Sequence, residues 1–202
     1  MPKVIADITM SLDGYVTGPG ADPQHGLGDA EELHAWVIGQ DPVDADILER
    51  ATAATGAVVM GRRLFDVVDG PDGWTRDMGY GAHRAATPPF FVVTHSPPAE
   101  VRLQRELGLR CTFVPGLPAA VEQAGRAATS GDVVIMGGGD VIGQAIELDL
   151  VDELHLHLAP ILLGGGTPLF RAGTRRMYRQ RDIRPSRQAV HLVYERMITS
   201  GP

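Results

Sequence analysis

The chain has 202 residues, 44% of them hydrophobic and 21% charged, and its 18 Lys plus Arg against 25 Asp plus Glu give a formal net charge of −7. That length and apolar content suit one domain over 1–202 with a substantial core, and an acidic balance without a long basic run lacks the electrostatic footprint of a nucleic-acid binder. A single cysteine, Cys111, excludes an internal disulfide and a cysteine-rich zinc site, the pattern of a reducing compartment.

Met-Pro-Lys leads directly into the strand-like VIADITM. No basic segment and apolar signal core come first, and Asp, Gly, Pro or Arg interrupts every apolar stretch well short of a bilayer span, so a cytoplasmic protein without a membrane partner is expected. Four short apolar runs, residues 4–10, 57–60, 90–94 and 133–136, end in breakers. Their near-continuous apolarity is what parallel strands covered on both faces require.

Helical spacing fills the intervals. Leu33, Trp36 and Val37 make one stripe; Ile47, Leu48, Ala51 and Ala54 make a second. A third is Leu117, Ala120, Val121 and Ala124, with Pro118 in the first turn where its missing N–H costs nothing, and a fourth is Val141, Ile142, Ala145 and Ile146. Beyond residue 150, Leu154, Leu156 and Leu158 alternate with His155 and His157, and residues 191–198 form another strand-like run, which predicts an antiparallel C-terminal edge. The expected architecture is α/β: a three-layer αβα arrangement around a mixed, mostly parallel sheet.

Three strand ends carry site-like chemistry. Residues 58–65, VVMGRRLF, run from a buried strand through Gly61 into a helix; such a junction offers free N–H groups and a helix dipole to an anion, and Arg62 and Arg63 add fork-shaped donors. A helix start with two solvated arginines is the plain alternative. Residues 90–97, FFVVTHSP, place Thr94, His95 and Ser96 where ligands of open α/β sheets bind, although Ser-Pro is also ordinary turn chemistry. Residues 133–142, VVIMGGGDVI, put three glycines before a helix, which lets a pyrophosphate approach the backbone or makes a tight turn of positive φ; the spacing is not that of a Rossmann fingerprint.

Other residues have two readings. Asp13, in Ser-Leu-Asp-Gly, touches substrate, fixes a covering loop, or simply forms a turn. Trp36 belongs to a core stripe or walls a flat ligand, and Trp74, after Pro-Asp-Gly, walls a pocket or covers a surface. His155 and His157 share a strand face, but no partner motif supports a metal, so a solvated or subunit-facing surface is expected. Gly164, Gly165 and Gly166 precede no periodic helix and read as a turn.

In order along the chain, ADITMSLDGYVTG, VVMGRRLF, VVTHSP, VVIMGGGDVIGQAI and DELHLHLAPILLGGGTPLF resemble the dihydrofolate reductase-like superfamily, and within it the subgroup containing the reductase domain of the bifunctional riboflavin-biosynthesis enzyme. The resemblance runs from about residue 3 to 198. It implies NADPH across the strand ends, hydride transfer to a C=N or C=O bond of a small heterocycle or sugar, and a homodimer paired through C-terminal strands. It further implies that Gly61, Arg62 and Arg63 take the adenosine-side phosphates, that Thr94 and His95 border the adenine ribose, and that Gly137, Gly138, Gly139, Asp140, Val141 and Ile142 cradle the pyrophosphate and nicotinamide ribose.

Two departures from the family pattern stand out. Dihydrofolate reductases carry an acid on the first helix, a position for which Asp29, Glu31 and Glu32 compete; Glu32 and Asp13 are the catalytic candidates. Riboflavin-pathway reductases carry a glutamate before the paired glycines, where this chain has Met136, taken with Trp74 as substrate-side. A non-catalytic NADP-binding or regulatory module is the alternative class. A carbonyl reductase of another nucleotide fold lacks support, since there is no Tyr-x-x-x-Lys pair and Lys3 is the sole lysine.

Overall fold

The structure, a computed structural model, describes residues 1–82, 84, 86–170 and 175–197. Strand β1 (Val4–Ser11) is followed by the short β2 (Tyr15–Thr17), a 3-10 turn over Glu31–His34, and helices α1 (Ala35–Ile38) and α2 (Pro42–Ala54). Then come β3 (Thr55–Gly61), α3 (Arg62–Asp69), β4 (Phe90–Val93), α4 (Arg102–Leu107), β5 (Cys111–Val114), α5 (Leu117–Ala127), β6 (Asp132–Ile135) and α6 (Gly139–Glu147). The last elements are β7 (Glu153–Ala159), β8 (Thr167–Pro168), β9 (Tyr178–Pro185) and β10 (Val190–Arg196); Ile198, expected in the final strand, lies outside the described residues.

Among the described residues, eight strands form one sheet in the order β5-β4-β3-β6-β1-β7-β10-β9. The pairs from β5 to β7 are parallel, and β10 is antiparallel to both β7 and β9. This is the expected mixed, mostly parallel sheet. The four apolar runs became β1, β3, β4 and β6 because their side chains face covering helices on both sides. On one side, Ala6, Ala57, Val59, Val133 and Ile135 pack with α5 and α6; on the other, Val58, Met60, Phe90 and Val92 pack with α3 and α4.

Helix α2 starts sharply: Asp41 caps it by accepting the Val43 N–H at 2.9 Å, and Pro42 takes the first turn. The stripe at Leu33, Trp36 and Val37 is broken by a change from 3-10 to α geometry at Ala35, and it buries Leu33 and Trp36 while Val37 stays exposed.

One expectation is corrected. Strand β7, with Leu154, Leu156 and Leu158, is interior; it runs parallel to β1, and Leu154 and Leu156 are buried in the core. The edge is β9, whose sequence YRQRDIRP is too polar to announce a strand. An edge carrying Arg179, Arg181 and Arg184 is shielded against strand addition, so an open leucine edge supplies no argument for self-association.

The long connection after α3 is pinned by Arg102, whose guanidinium donates to the carbonyls of Asp69, Val68 and Trp74, each at 2.9 Å. Arg102→Met leaves three carbonyls without that donor and should destabilise the protein by about 2 kcal/mol or more, the scale of hydrogen bonds to a charged group. Urea unfolding measures this; an unchanged midpoint would show that the connection holds without its clamp.

Candidate functional site

The parallel sheet brings three sequence-distant junctions to one place, the carboxyl ends of adjacent strands β4, β3 and β6. Arg62, first in α3, donates from Nε to Asp66 Oδ1 at 2.7 Å and from Nη1 to the carbonyl of Ser96 beyond β4. Arg63 Nη1 lies 3.5 Å from Asp140 Oδ2 in the first turn of α6, and its side chain is 84% exposed. A Cβ on Gly61 would come within 2.6 Å of Val141 Cγ2, so glycine is what lets the β3–α3 and β6–α6 junctions touch. Thr94 accepts the Ser96 N–H at 3.1 Å, and His95 is exposed. A cleft of about 340 Å³ borders Arg63, lined by Thr17, Ala21, Asp22, Pro23, Gly26 and Thr167.

The three glycines differ. Gly137 has φ +88° and is joined to Gly138 by a cis peptide. Gly138 has φ −72° and caps α6, and a Cβ there meets nothing within 4 Å. Gly139 is packed, since its Cβ would meet Val16 Cγ2 at 2.7 Å. The amides of Val141 and Ile142 both return to Gly138 O, at 3.1 and 3.2 Å, and their side chains are buried in the core. An anion here would therefore meet the glycine backbone, with Val141 and Ile142 acting only as support beneath it. The open space over Gly138 is the kind of cradle a side chain would fill, and in that respect the site fits a dinucleotide.

On the sheet face opposite α5 and α6 lies a chain of titratable groups. Asp7 Oδ1 is 3.0 Å from His157 Nε2, His157 Nδ1 is 2.7 Å from His191 Nδ1, and His191 Nε2 is 2.7 Å from Asp44 Oδ1. Strand β1 supplies Asp7, β7 His157, β10 His191 and α2 Asp44. Trp36 covers both imidazoles, with ring centroids 4.2 Å from His157 and 5.0 Å from His191, and donates to Thr9 Oγ1 at 2.9 Å.

The RibD C-terminal domain family model matches residues 2–192. The chain belongs to the RibD C-terminal domain family. That family is one of reductases, with the dihydrofolate reductase-like fold. Among solved structures, the domain is similar to a putative riboflavin biosynthesis protein from Shewanella sp. PV-4, with a TM-score of 0.67 and 22% identity over 98% of this chain and 100% of that one. RibD from Acinetobacter baumannii superposes with a TM-score of 0.70 and 17% identity, covering 98% of this chain and 59% of that one. Dihydrofolate reductase from Enterococcus faecalis gives 0.58 and 16%, with 96% of each chain covered. A curated relative, the uncharacterized protein YyaP of Bacillus subtilis, is 24% identical over 170 residues, which is 83% of this chain and 80% of YyaP.

Within this RibD C-terminal domain, the residues expected at the phosphates and the glycine turn come together, while the acids and Trp74 do not join them. Asp13 accepts from Ser11 Oγ at 2.6 Å, Leu163 N at 3.1 Å and Gly164 N at 2.7 Å. Those donors, the Ser11 hydroxyl foremost, lower its pKa to about 2, so it is a fixed anion that holds the glycine-rich turn and no store of protons. Glu32 is solvent-exposed on the 3-10 turn. Trp74 packs on Phe90, at the amino end of β4, and lines a separate cavity of about 170 Å³. Met136 continues β6 directly into the glycines.

The sequence reading did not find Asp7, Asp44 and His191, and it placed His157 on a solvated or subunit-facing surface although that residue is 4% exposed. One signal was available, a carboxylate inside the apolar run VIADITM. The pairing of Asp7 with His157 needs the parallel β1–β7 register, which no local pattern reveals. Among the described residues no group of three or more His, Cys, Asp or Glu could hold a metal ion, and no helix is long and apolar enough to cross a membrane.

The Asp13 clamp has a definite pH dependence. Its folded pKa lies below the ordinary 3.8, so its contribution is complete above that value and is lost as pH falls through about 2. Asp13→Asn should speed amide exchange at Leu163 and Gly164 at neutral pH, as measured by NMR; protection equal to wild type would show that the carboxylate does not hold the turn. For the glycines, Gly138→Ala should fold with nearly unchanged stability, whereas Gly137→Ala, forced to φ +88°, should cost about 1 kcal/mol or more. Melting curves of the two variants check the contrast.

Proposed function

We propose that this chain, acting as a single domain, is an NADPH-dependent reductase that delivers hydride to a C=N or C=O bond of a small heterocycle, a ribosylaminopyrimidine or a pterin. The observation that carries the reading is the convergence of Gly61, Arg62, Arg63, Thr94 and the open space over Gly138 at the ends of three adjacent parallel strands. The cofactor, when bound, supplies the hydride.

The chain's own residues bind and orient. Arg63, at the mouth of the cleft, can exchange its carboxylate partner Asp140 for a phosphate, because an exposed pair at 3.5 Å is weak. Arg62 fixes the Ser96 carbonyl and so sets the loop carrying Thr94 and His95, the side proposed for the 2′-phosphate. Met136 offers an apolar wall beside the glycine turn. Support for the substrate class comes from similar structures, among them a pyrimidine reductase-like protein from Corynebacterium diphtheriae with a TM-score of 0.64 and 20% identity. Support for the cofactor is that the Enterococcus enzyme is described as complexed with NADP(H). The homodimer rests on the family resemblance, and light scattering tests it.

Calorimetry should show NADPH bound in preference to NADH. Arg63→Ala should weaken NADPH by about 1.5–3 kcal/mol, the worth of a charge-assisted hydrogen bond. Equal affinity for the two cofactors would remove the 2′-phosphate assignment. Gly138→Ala, folded but with its methyl group in the cradle, should lose NADPH affinity; a folded variant binding as well as wild type would reduce the glycine loop to a turn.

A further inference from the structure

The buried chain Asp7, His157, His191, Asp44 is distinct from the arginines and glycines assigned to the dinucleotide, and its proton inventory is constrained by geometry. Three hydrogen bonds join four groups, at 3.0, 2.7 and 2.7 Å, and each requires one proton. Two carboxylates and two imidazoles sharing three protons carry one net negative charge. That charge can be arranged in three ways. With all three protons on nitrogen there are two carboxylates and one imidazolium, three charges taken out of water. With Asp7 protonated, the single charge sits on Asp44, whose side chain is 1% exposed and whose Oδ2 has no hydrogen-bond partner among the described residues. With Asp44 protonated, the single charge sits on Asp7, the most exposed member at 19%.

Desolvation selects the last arrangement, because an isolated buried carboxylate is far costlier than a neutral carboxylic acid with one idle oxygen. His157 then carries its proton on Nε2 and His191 on Nδ1. The surroundings agree. Burial acts to raise the Asp7 carboxyl, but the hydrogen bond that His157 donates to it acts to hold it below the ordinary carboxylate range. Burial also pushes the His191 imidazole down, toward its neutral form. The other groups around the chain are His155 Nδ1, 4.0 Å from Asp7 Oδ2; Glu153, which contacts His155 at 3.2 Å; Tyr80, on whose hydroxyl the Asp7 charge acts; and Arg184, which pairs with Asp46.

The outlet of this chain lies beside the glycine turn, where the family resemblance puts the nicotinamide ribose. Asp7 follows Ala6, which pairs with Ile135, and Met136 and the glycine turn follow Ile135 on the neighbouring strand, so Asp7 stands level with Met136, one residue short of that turn and about 5 Å across from its strand. We propose that the four residues form a proton store whose outlet is Asp7, and that it supplies the proton the reduction requires. This rests on the reductase reading.

In the step, the Asp44 proton moves to His191 Nε2, the His191 Nδ1 proton to His157 Nδ1, and the His157 Nε2 proton to Asp7. As hydride forms the new C–H bond, the π pair of the C=N or C=O bond moves to the heteroatom, which takes the Asp7 proton. The Asp7 O–H bond breaks, and water restores the missing proton at the exposed end.

Infrared spectroscopy of the cofactor-free protein at pH 7 tests the store. The carbonyl stretch of an un-ionised carboxylic acid is expected, shifted in D2O and absent in Asp44→Asn, together with the His157 Nε2–H and His191 Nδ1–H tautomers in nitrogen-15 NMR. Absence of the band, its persistence in Asp44→Asn, or an imidazolium at either ring would overturn the proposal. Melting curves establish that the variant is folded, and His157→Gln, which should keep the band while cutting the path, provides a second reading. With NADPH and a ribosylaminopyrimidine, Asp7→Asn should lower kcat about a hundredfold with NADPH affinity unchanged, the scale of lost general acid catalysis; wild-type kcat in that variant would overturn proton delivery. Failure of the wild-type protein to bind NADPH would remove the cofactor reading and leave the infrared result intact.

Discussion

The parallel pairing of β1 with both β6 and β7 is the constraint on which the rest of the molecule depends. Because side chains alternate along a strand, fixing that register commits Ala6, Ile8 and Met10 to the core under α5 and α6 and turns Asp7, Thr9 and Ser11 to the opposite face. A slip of one residue would bury Asp7 among aliphatic side chains and turn Ala6 onto the polar face. The same pairing sets the middle of β1 beside the glycine turn after β6 and the end of β1 beside the end of β7, so cradle and acid chain are consequences of one alignment.

The two halves of the site handle charge in opposite ways. At the strand ends the groups are exposed and loosely paired, as with Arg63, and the backbone is bared by glycine, an arrangement suited to a multiply charged anion entering from water in a protein whose overall charge is −7. Behind β1 the groups are dry and closely coupled. Trp36 seals the imidazoles, and their partners come from three strands and a helix, so each ring is oriented by both neighbours and neither can turn without breaking a bond. Side-chain clamps hold the connections: Asp13 ties the segment after β1 to residues 163 and 164, and Asp69 and Arg102 tie the long connection after α3 to α4.

What the sequence determined by itself was the set of elements whose environment is uniform. Strands covered on both faces read as apolar runs, amphipathic helices such as α5 and α6 read as stripes, and the glycines and arginines at strand ends mark where a backbone must be approached closely. Those signals are local, and the ordered motifs extended them to a family. Tertiary structure alone decided the rest. Strand β9 is polar because it is an edge, so its pairing with β10 has no hydrophobic signature. Strand β7 alternates as an exposed antiparallel strand would, yet it lies inside the sheet because its polar face meets Asp7, Trp36 and His191 instead of water. Asp44 and His191 stand 147 residues apart, and a carboxylate on a helix flank looks solvated until β10 is laid against it. Buried polar groups are stabilised by specific partners, and partners distant in sequence are invisible to any pattern of spacing.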